Sequence, residues 1–199
     1  MSARTMRFIL IASAFVAGLA SVFAIVIVLS GREPGAIATP SSLIGGPFRL
    51  TDQEGRTVTE QDFKGHPFLV FFGYTHCPDI CPTTLFEISE ILGKLGPESN
   101  RMAALFVTVD PDRDSPAALK DYLSSFNARL IGLTGDQAAV DAMTKAYRVY
   151  ARKVPGEHDD YAMDHTALVY LMDKEGRFVA PFNIKRRPEE AAADLRRYL

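Results

Sequence analysis

Residues 68–85 read Phe68-Leu69-Val70-Phe71-Phe72-Gly73-Tyr74-Thr75-His76-Cys77-Pro78-Asp79-Ile80-Cys81-Pro82-Thr83-Thr84-Leu85, and they hold both cysteines of the 199-residue chain. The run from Phe68 to Phe72 is apolar at consecutive positions. That pattern fits a strand covered on both faces, at the centre of a sheet rather than its edge. After the cysteines, Leu85, Ile88, Ile91, Leu92 and Leu95 recur at helical spacing, and Gly96-Pro97 stops the helix. Two thiols therefore sit in a loop between a buried strand and the helix that follows it.

Working outward, Phe48–Thr51 and Arg56–Val58 flank Asp52-Gln53-Glu54-Gly55, a hairpin with a glycine turn. Met102–Val109 predicts a second buried strand. Asp114-Ser115-Pro116 predicts a capped helix start with proline at the first helical position. Leu130–Leu133 follows as a short strand, then a helix from Asp136 to about Tyr147. Thr166–Leu171 and Arg177–Ala180 form a second hairpin around Asp173-Lys174-Glu175-Gly176, and Pro188–Tyr198 closes the chain as a helix with a basic end. Strands interleaved with helices indicate an α/β domain over residues 47–199, a central mixed sheet flanked by helices. A dithiol loop between the first buried strand and its helix is the thioredoxin-like arrangement.

The other end of the chain predicts a membrane anchor. Arg4 and Arg7 lie in a short tail, residues 1–7, ahead of an unbroken apolar stretch over residues 8–29. About 22 residues rising roughly 1.5 Å each cover about 33 Å, enough for a hydrocarbon core of about 30 Å. A cleavable signal has a shorter apolar region, about 7–15 residues. The arginines place the tail in the cytoplasm and the domain on the far side of a single transmembrane helix. Residues 30–46, rich in Gly, Pro and Ser, read as a flexible tether. With no mitochondrial-type presequence ahead of the anchor, the expected setting is a bacterial inner membrane with a periplasmic domain. The net charge of −2 and the absence of a long basic run exclude nucleic acid as an expected partner.

Cysteines paired in an exported domain are ordinarily a structural disulfide. Closing a loop of about five residues, however, removes chain entropy worth only roughly 2 kcal/mol. A domain of about 150 residues has core enough without it. Redox pairs of the thioredoxin type have two intervening residues, whereas Pro78, Asp79 and Ile80 separate these two. The extra residue lets both sulfurs turn toward a common point, which suits a metal. Cys81-Pro82-Thr83 also predicts the second sulfur at a helix N-terminus, where N–H groups favour the thiolate. Two thiolates are too few for most metals, so a third ligand is required from elsewhere.

Four histidines are candidates. His66 precedes a proline at a strand start and reads as a surface residue. His158 lies in a polar loop. His76 adjoins Cys77 and reads as orienting the loop or shielding the site. His165 begins a predicted strand, where a packed, hydrogen-bonded histidine is the ordinary interpretation.

The stretch Phe72–Leu85, with Thr108-Val109-Asp110-Pro111-Asp112-Arg113-Asp114 and Asp164-His165-Thr166-Ala167 leading to Tyr170, Leu171, Asp173 and Gly176, resembles the Sco/SenC family. The resemblance implies a thioredoxin-like domain that binds copper through both cysteines and the downstream histidine. It implies a role in assembling the binuclear copper centre of cytochrome c oxidase. Carried onto this sequence, the metal ligands are Cys77, Cys81 and His165. Two thiolates and one imidazole suit Cu(I), and Asp79 stands near enough to be a further donor for Cu(II) or a partner to the ligands. The Asp110–Asp114 segment is expected to cap its helix. The implied partners are the oxidase's copper-binding subunit and an upstream copper donor. Alternatives are a thiol–disulfide reductase with Cys77 and Cys81 as catalytic residues, and a redox or copper sensor. Peroxidase chemistry fits poorly, because His76 alone separates Thr75 from Cys77. A structural zinc site ordinarily has four protein ligands, one more than this sequence supplies.

Overall fold

The computed structural model describes residues 16–21, 44–127, 129–156 and 160–199. The chain divides into two compact units, Met1–Ser41 and Ser42–Leu199. In the first, residues 16–21 are helical. The rest of the expected anchor lies outside the described residues, among which no helix is long and apolar enough to cross a membrane.

The second unit is built on a seven-stranded sheet. Its strands are β1 (Arg49–Asp52), β2 (Thr57–Thr59), β3 (Phe68–Gly73), β4 (Ala103–Thr108), β5 (Leu130–Thr134), β8 (Val169–Met172) and β9 (Phe178–Pro181). They lie in the order β2-β1-β5-β4-β3-β8-β9. Every residue of β3 is buried. It runs parallel to β4, Phe68 opposite Ala103 and Gly73 opposite Thr108, and antiparallel to β8 on its other side. β5 continues the parallel pairing beyond β4, while β1, β2 and β9 pair antiparallel. The sheet is therefore mixed, as the interleaved pattern implies. Each fully buried phenylalanine of β3 stabilises the fold by about 1.5–3 kcal/mol, which makes this strand the fixed floor under the cysteine loop.

Four α-helices complete the unit among the described residues, beside two short 3-10 turns: α1 (Ile80–Leu95), α2 (Pro116–Leu123), α3 (Gln137–Ala146) and α4 (Pro188–Leu195). The apolar stripe of α1 is buried along its length, from Leu85 to Leu95, and α1 packs on α4. Ser115 caps α2 by accepting the Ala118 N–H, with Pro116 at the first helical position, and Asp136 caps α3 through Ala139.

The hairpin turns β1–β2 and β8–β9 share one device. Asp52 accepts the backbone N–H groups of Glu54 and Arg56 at 2.9 and 2.8 Å, and Asp173 those of Glu175 and Arg177 at 3.0 and 2.9 Å. Gly55 and Gly176 complete the two turns at φ of 80° and 74°, in the left-handed region.

Three readings of the sequence need correction. A second, two-stranded sheet stands apart from the first: β6 (Ala151–Pro155) pairs with β7 (Tyr161–His165), Ala151 opposite His165. His165 thus ends a hairpin strand instead of beginning a core strand, and β8 starts only at Val169. The closing helix stops at Leu195, short of the expected Tyr198. Finally, the Asp110–Asp114 segment does not cap α2. Ser115 does that, and Asp110 and Asp114 are wholly buried in other work.

Candidate metal centre

Cys77, Cys81 and His165 come together. One ligand atom from each lies within 4.8 Å of the others, and this is the one such cluster of His, Cys, Asp and Glu among the described residues. Asp79 is not part of it; it is the exposed residue preceding α1. His66 is exposed and faces the Arg101 carbonyl, and His76 is exposed with Nδ1 3.0 Å from the Thr75 hydroxyl. His158 lies outside the described residues.

The start of α1 sets the sulfurs. Asp79 occupies the cap position but makes no capping hydrogen bond through its side chain. The Cys77 sulfur takes that role, accepting the Cys81 N–H at 3.4 Å. Pro82 has no N–H to leave unsatisfied in the first turn. The helix terminus is therefore aimed at Cys77 and not, as its position in sequence suggests, at Cys81. Burial pushes the Cys81 thiol well above the ordinary range, although a hydrogen bond from the Tyr74 backbone works the other way. The expectation of a helix-stabilised thiolate at Cys81 is overturned: the apo side chain is a buried thiol.

His165 Nε2 lies 3.6 Å from Cys81 Sγ. Its Nδ1 is 3.3 Å from the Thr166 carbonyl, which can only accept, so Nδ1 carries the proton and the Nε2 lone pair faces the sulfur. Burial lowers the ring below the usual imidazole range, against the opposing Thr166 bond and Asp164 charge, so the neutral form dominates at neutral pH. Tyr74 meets the ring edge-on, centroids 5.8 Å apart, with Phe71 at 6.3 Å. A neutral imidazole nitrogen beside two sulfurs is a donor set for a soft metal ion.

Several supporting residues lie within the motifs that carry the resemblance, but nothing in the sequence assigns their contacts. Gly73 at the end of β3 abuts the Cys81 sulfur. Asp114 accepts the Thr75 and Thr108 hydroxyls, both at 2.6 Å, and the Thr75 backbone N–H at 3.1 Å, tying the cysteine loop to the end of β4. An apolar cleft of about 290 Å³, lined by Ile80, Thr84, Leu168 and Phe182 among others, opens nearby; none of the three donors lines it.

A thioredoxin-like domain with a Cys-x3-Cys loop facing a histidine defines the class of protein. The sequence profile of the SCO1/SenC family matches residues 37–199, and the chain belongs to that family. The match runs through residues 128–151, which lie outside the motifs that carry the resemblance. The structure of Bradyrhizobium japonicum ScoI with copper bound is similar, at 62% identity and a TM-score of 0.77, covering 78% of this chain and 99% of that one. A SCO2-like protein of Rickettsia conorii is 39% identical over 155 residues, 77% of this chain and 76% of its own. The human mitochondrial SCO1 homolog is 38% identical over 156 residues, 77% of this chain and 52% of the human one.

Proposed function

We propose that this protein is a membrane-tethered copper chaperone that carries copper on Cys77, Cys81 and His165 and supports assembly of the binuclear copper centre of cytochrome c oxidase. The observation that carries this reading is the convergence of two sulfurs and one imidazole nitrogen within 4.8 Å. It is supported by the 62% identity to a ScoI solved with copper bound. Two thiolates and a neutral imidazole suit three-coordinate Cu(I). Each thiol gives up its proton as the metal arrives.

Delivery proceeds by ligand exchange: a thiolate of the oxidase's copper-binding subunit displaces one donor, so copper never enters water. An upstream copper donor loads the site by the same chemistry in reverse. The apolar segment over residues 8–29 anchors the chain in a bacterial inner membrane, N-terminus in the cytoplasm. The tether over residues 30–46 keeps the periplasmic domain near its acceptor and raises the effective concentration.

Anaerobic copper loading of the full chain in detergent tests the reading. A single copper per chain is expected, lost in Cys77→Ser and Cys81→Ser. If His165→Ala leaves the Cu(II) affinity and spectrum unchanged, His165 is not the third ligand.

A second reading, a thiol–disulfide reductase of the oxidase's copper-binding cysteines, is favoured by one contrast: Cys77 keeps some exposure and Cys81 has none, so Cys77 is the sulfur an acceptor disulfide can reach. The pair would pass two electrons and two protons to an acceptor disulfide through a mixed disulfide, becoming a disulfide itself. Negligible reduction of a disulfide-bonded acceptor peptide rejects it.

A further inference from the structure

The hairpin that carries His165 shares no ladder with the main sheet: β6 and β7 pair with each other. Of its strand residues only Met163 is buried. Side chains rather than a shared ladder hold it against the cysteine loop, and several of them come from the loop after β4. Asp110 is fully buried and takes the Tyr161 hydroxyl at 2.8 Å on one oxygen and the Arg113 guanidinium on the other. The Arg113 fork also reaches Asp160 at 3.0 Å. The guanidinium carbon lies 3.7 Å from the centroid of the Tyr161 ring and 5.8 Å from that of Tyr74. Lys153 of β6 bonds Asp112 of the same loop.

We propose that Arg113, fixed on Asp110 and stacked on Tyr161, is the positioning residue that sets the β6–β7 hairpin, and with it His165, over the Cys77–Cys81 pair. Three features favour this over a surface ion pair. One Arg113 terminal nitrogen is buried with no hydrogen-bond partner. Such a group is costly to desolvate, and the aromatic faces around the guanidinium offset that cost. Tyr74 links the two ends: its ring packs edge-on against His165 and lies 5.8 Å from the Arg113 guanidinium carbon. The same loop grips the cysteine side through Asp114 and Thr75. One segment thus references the histidine and the thiols to each other, which a neutral cap on α2 would not do. Lysine cannot replace Arg113, because it lacks the planar fork that serves Asp110 and Asp160 together.

The inference deepens the copper reading and rests on it, so the test has one arm without metal. Arg113→Met, Arg113→Lys and Tyr161→Phe are made in the full chain, with Leu195→Ala in α4 as a variant that loses stability elsewhere. In the apo proteins, amide hydrogen exchange at residues 161–165 is compared with that at 68–73. Arg113→Met should raise exchange in the hairpin by at least about tenfold relative to β3, whereas Leu195→Ala should move both together. Tyr161→Phe, which keeps the ring and deletes one bond, should fall between wild type and Arg113→Met. With Cu(II), the Arg113→Met spectrum should shift toward that of His165→Ala while copper stoichiometry stays that of wild type. Hairpin exchange and a Cu(II) spectrum indistinguishable from wild type in both Arg113→Met and Tyr161→Phe would overturn the positioning role. A wild-type protein that holds no copper on its cysteines would instead defeat the chaperone reading, and the exchange comparison would still decide the positioning role.

Discussion

Gly73 and Cys81 leave no space between them: a β-carbon at position 73 would lie 2.7 Å from the Cys81 sulfur and 2.7 Å from Phe106 Cε2. The central strand ends on glycine so that α1 can lay its cysteine directly against it. Gly73→Ala is expected to lower stability by about 1–3 kcal/mol, the usual cost of overpacking a filled site. It should also displace the sulfur. Chemical denaturation and copper titration check both effects. Wild-type values in each would mean that the ring of Phe106 and the helix give way freely.

The two thiols are not equivalent. Cys81 is completely buried, whereas Cys77 retains 7% exposure and receives the helix N–H. Substoichiometric alkylation of the apo protein at about pH 8 should therefore label Cys77 first, since the reagent must reach the sulfur and burial holds Cys81 as a thiol. Peptide mapping reads the ratio. Equal labelling would show that the helix terminus opens faster than the reagent reacts.

The sheet was legible because its signals are local. Phe68–Phe72 is apolar without a break, and Ser115-Pro116 and Asp136 carry their capping chemistry in one or two residues. The hairpin of β6 and β7 was not legible, for a physical reason. Ala-Arg-Lys-Val-Pro and Tyr-Ala-Met-Asp-His are almost wholly solvent-facing or half-buried, so no apolar alternation marks them as strands. Its place depends on Arg113 and Asp110, 47 or more residues away from Asp160 and Tyr161, which no window along the chain brings together. The three clustered donors could be named through resemblance, but Gly73 and Asp114 could not. Their roles exist only after β3, β4 and α1 have packed.

The paired turns predict a specific acid sensitivity. Burial pushes the Asp52 and Asp173 carboxyls up, but hydrogen bonds from the backbone and guanidinium of Arg56 and Arg177, with those from Glu54 and Glu175, outweigh it and hold both below the usual carboxylate range. A depressed folded-state pKa contributes stability that is present above the unfolded value, about 3.9, and lost as pH falls through the folded one. Asp52→Asn and Asp173→Asn should each cost about 1–3 kcal/mol at neutral pH, the worth of hydrogen bonds to a charged group. That gap from wild type should close progressively below about pH 4. Urea midpoints measured across pH 3–7 check it, and a gap independent of pH would assign the turns' stability to shape alone.

Copper, if it is held by these donors, must stabilise the folded domain by mass action. A ligand that binds only the native state at 1,000 times its Kd adds about 4 kcal/mol, a ceiling here because unfolded thiols also take up copper. Anaerobic Cu(I) should therefore raise the melting temperature of the wild-type chain relative to its own apo form. Cys81→Ser should abolish the increment, because a serine hydroxyl is a poor ligand for Cu(I) and the Cys81 sulfur lies 3.6 Å from His165 Nε2. His165→Ala should retain part of it, since both sulfurs remain. Comparing each variant with its own apo form removes whatever the substitution does to the core. An undiminished increment in Cys81→Ser would place the stabilising copper elsewhere on the protein and separate metal binding from this site.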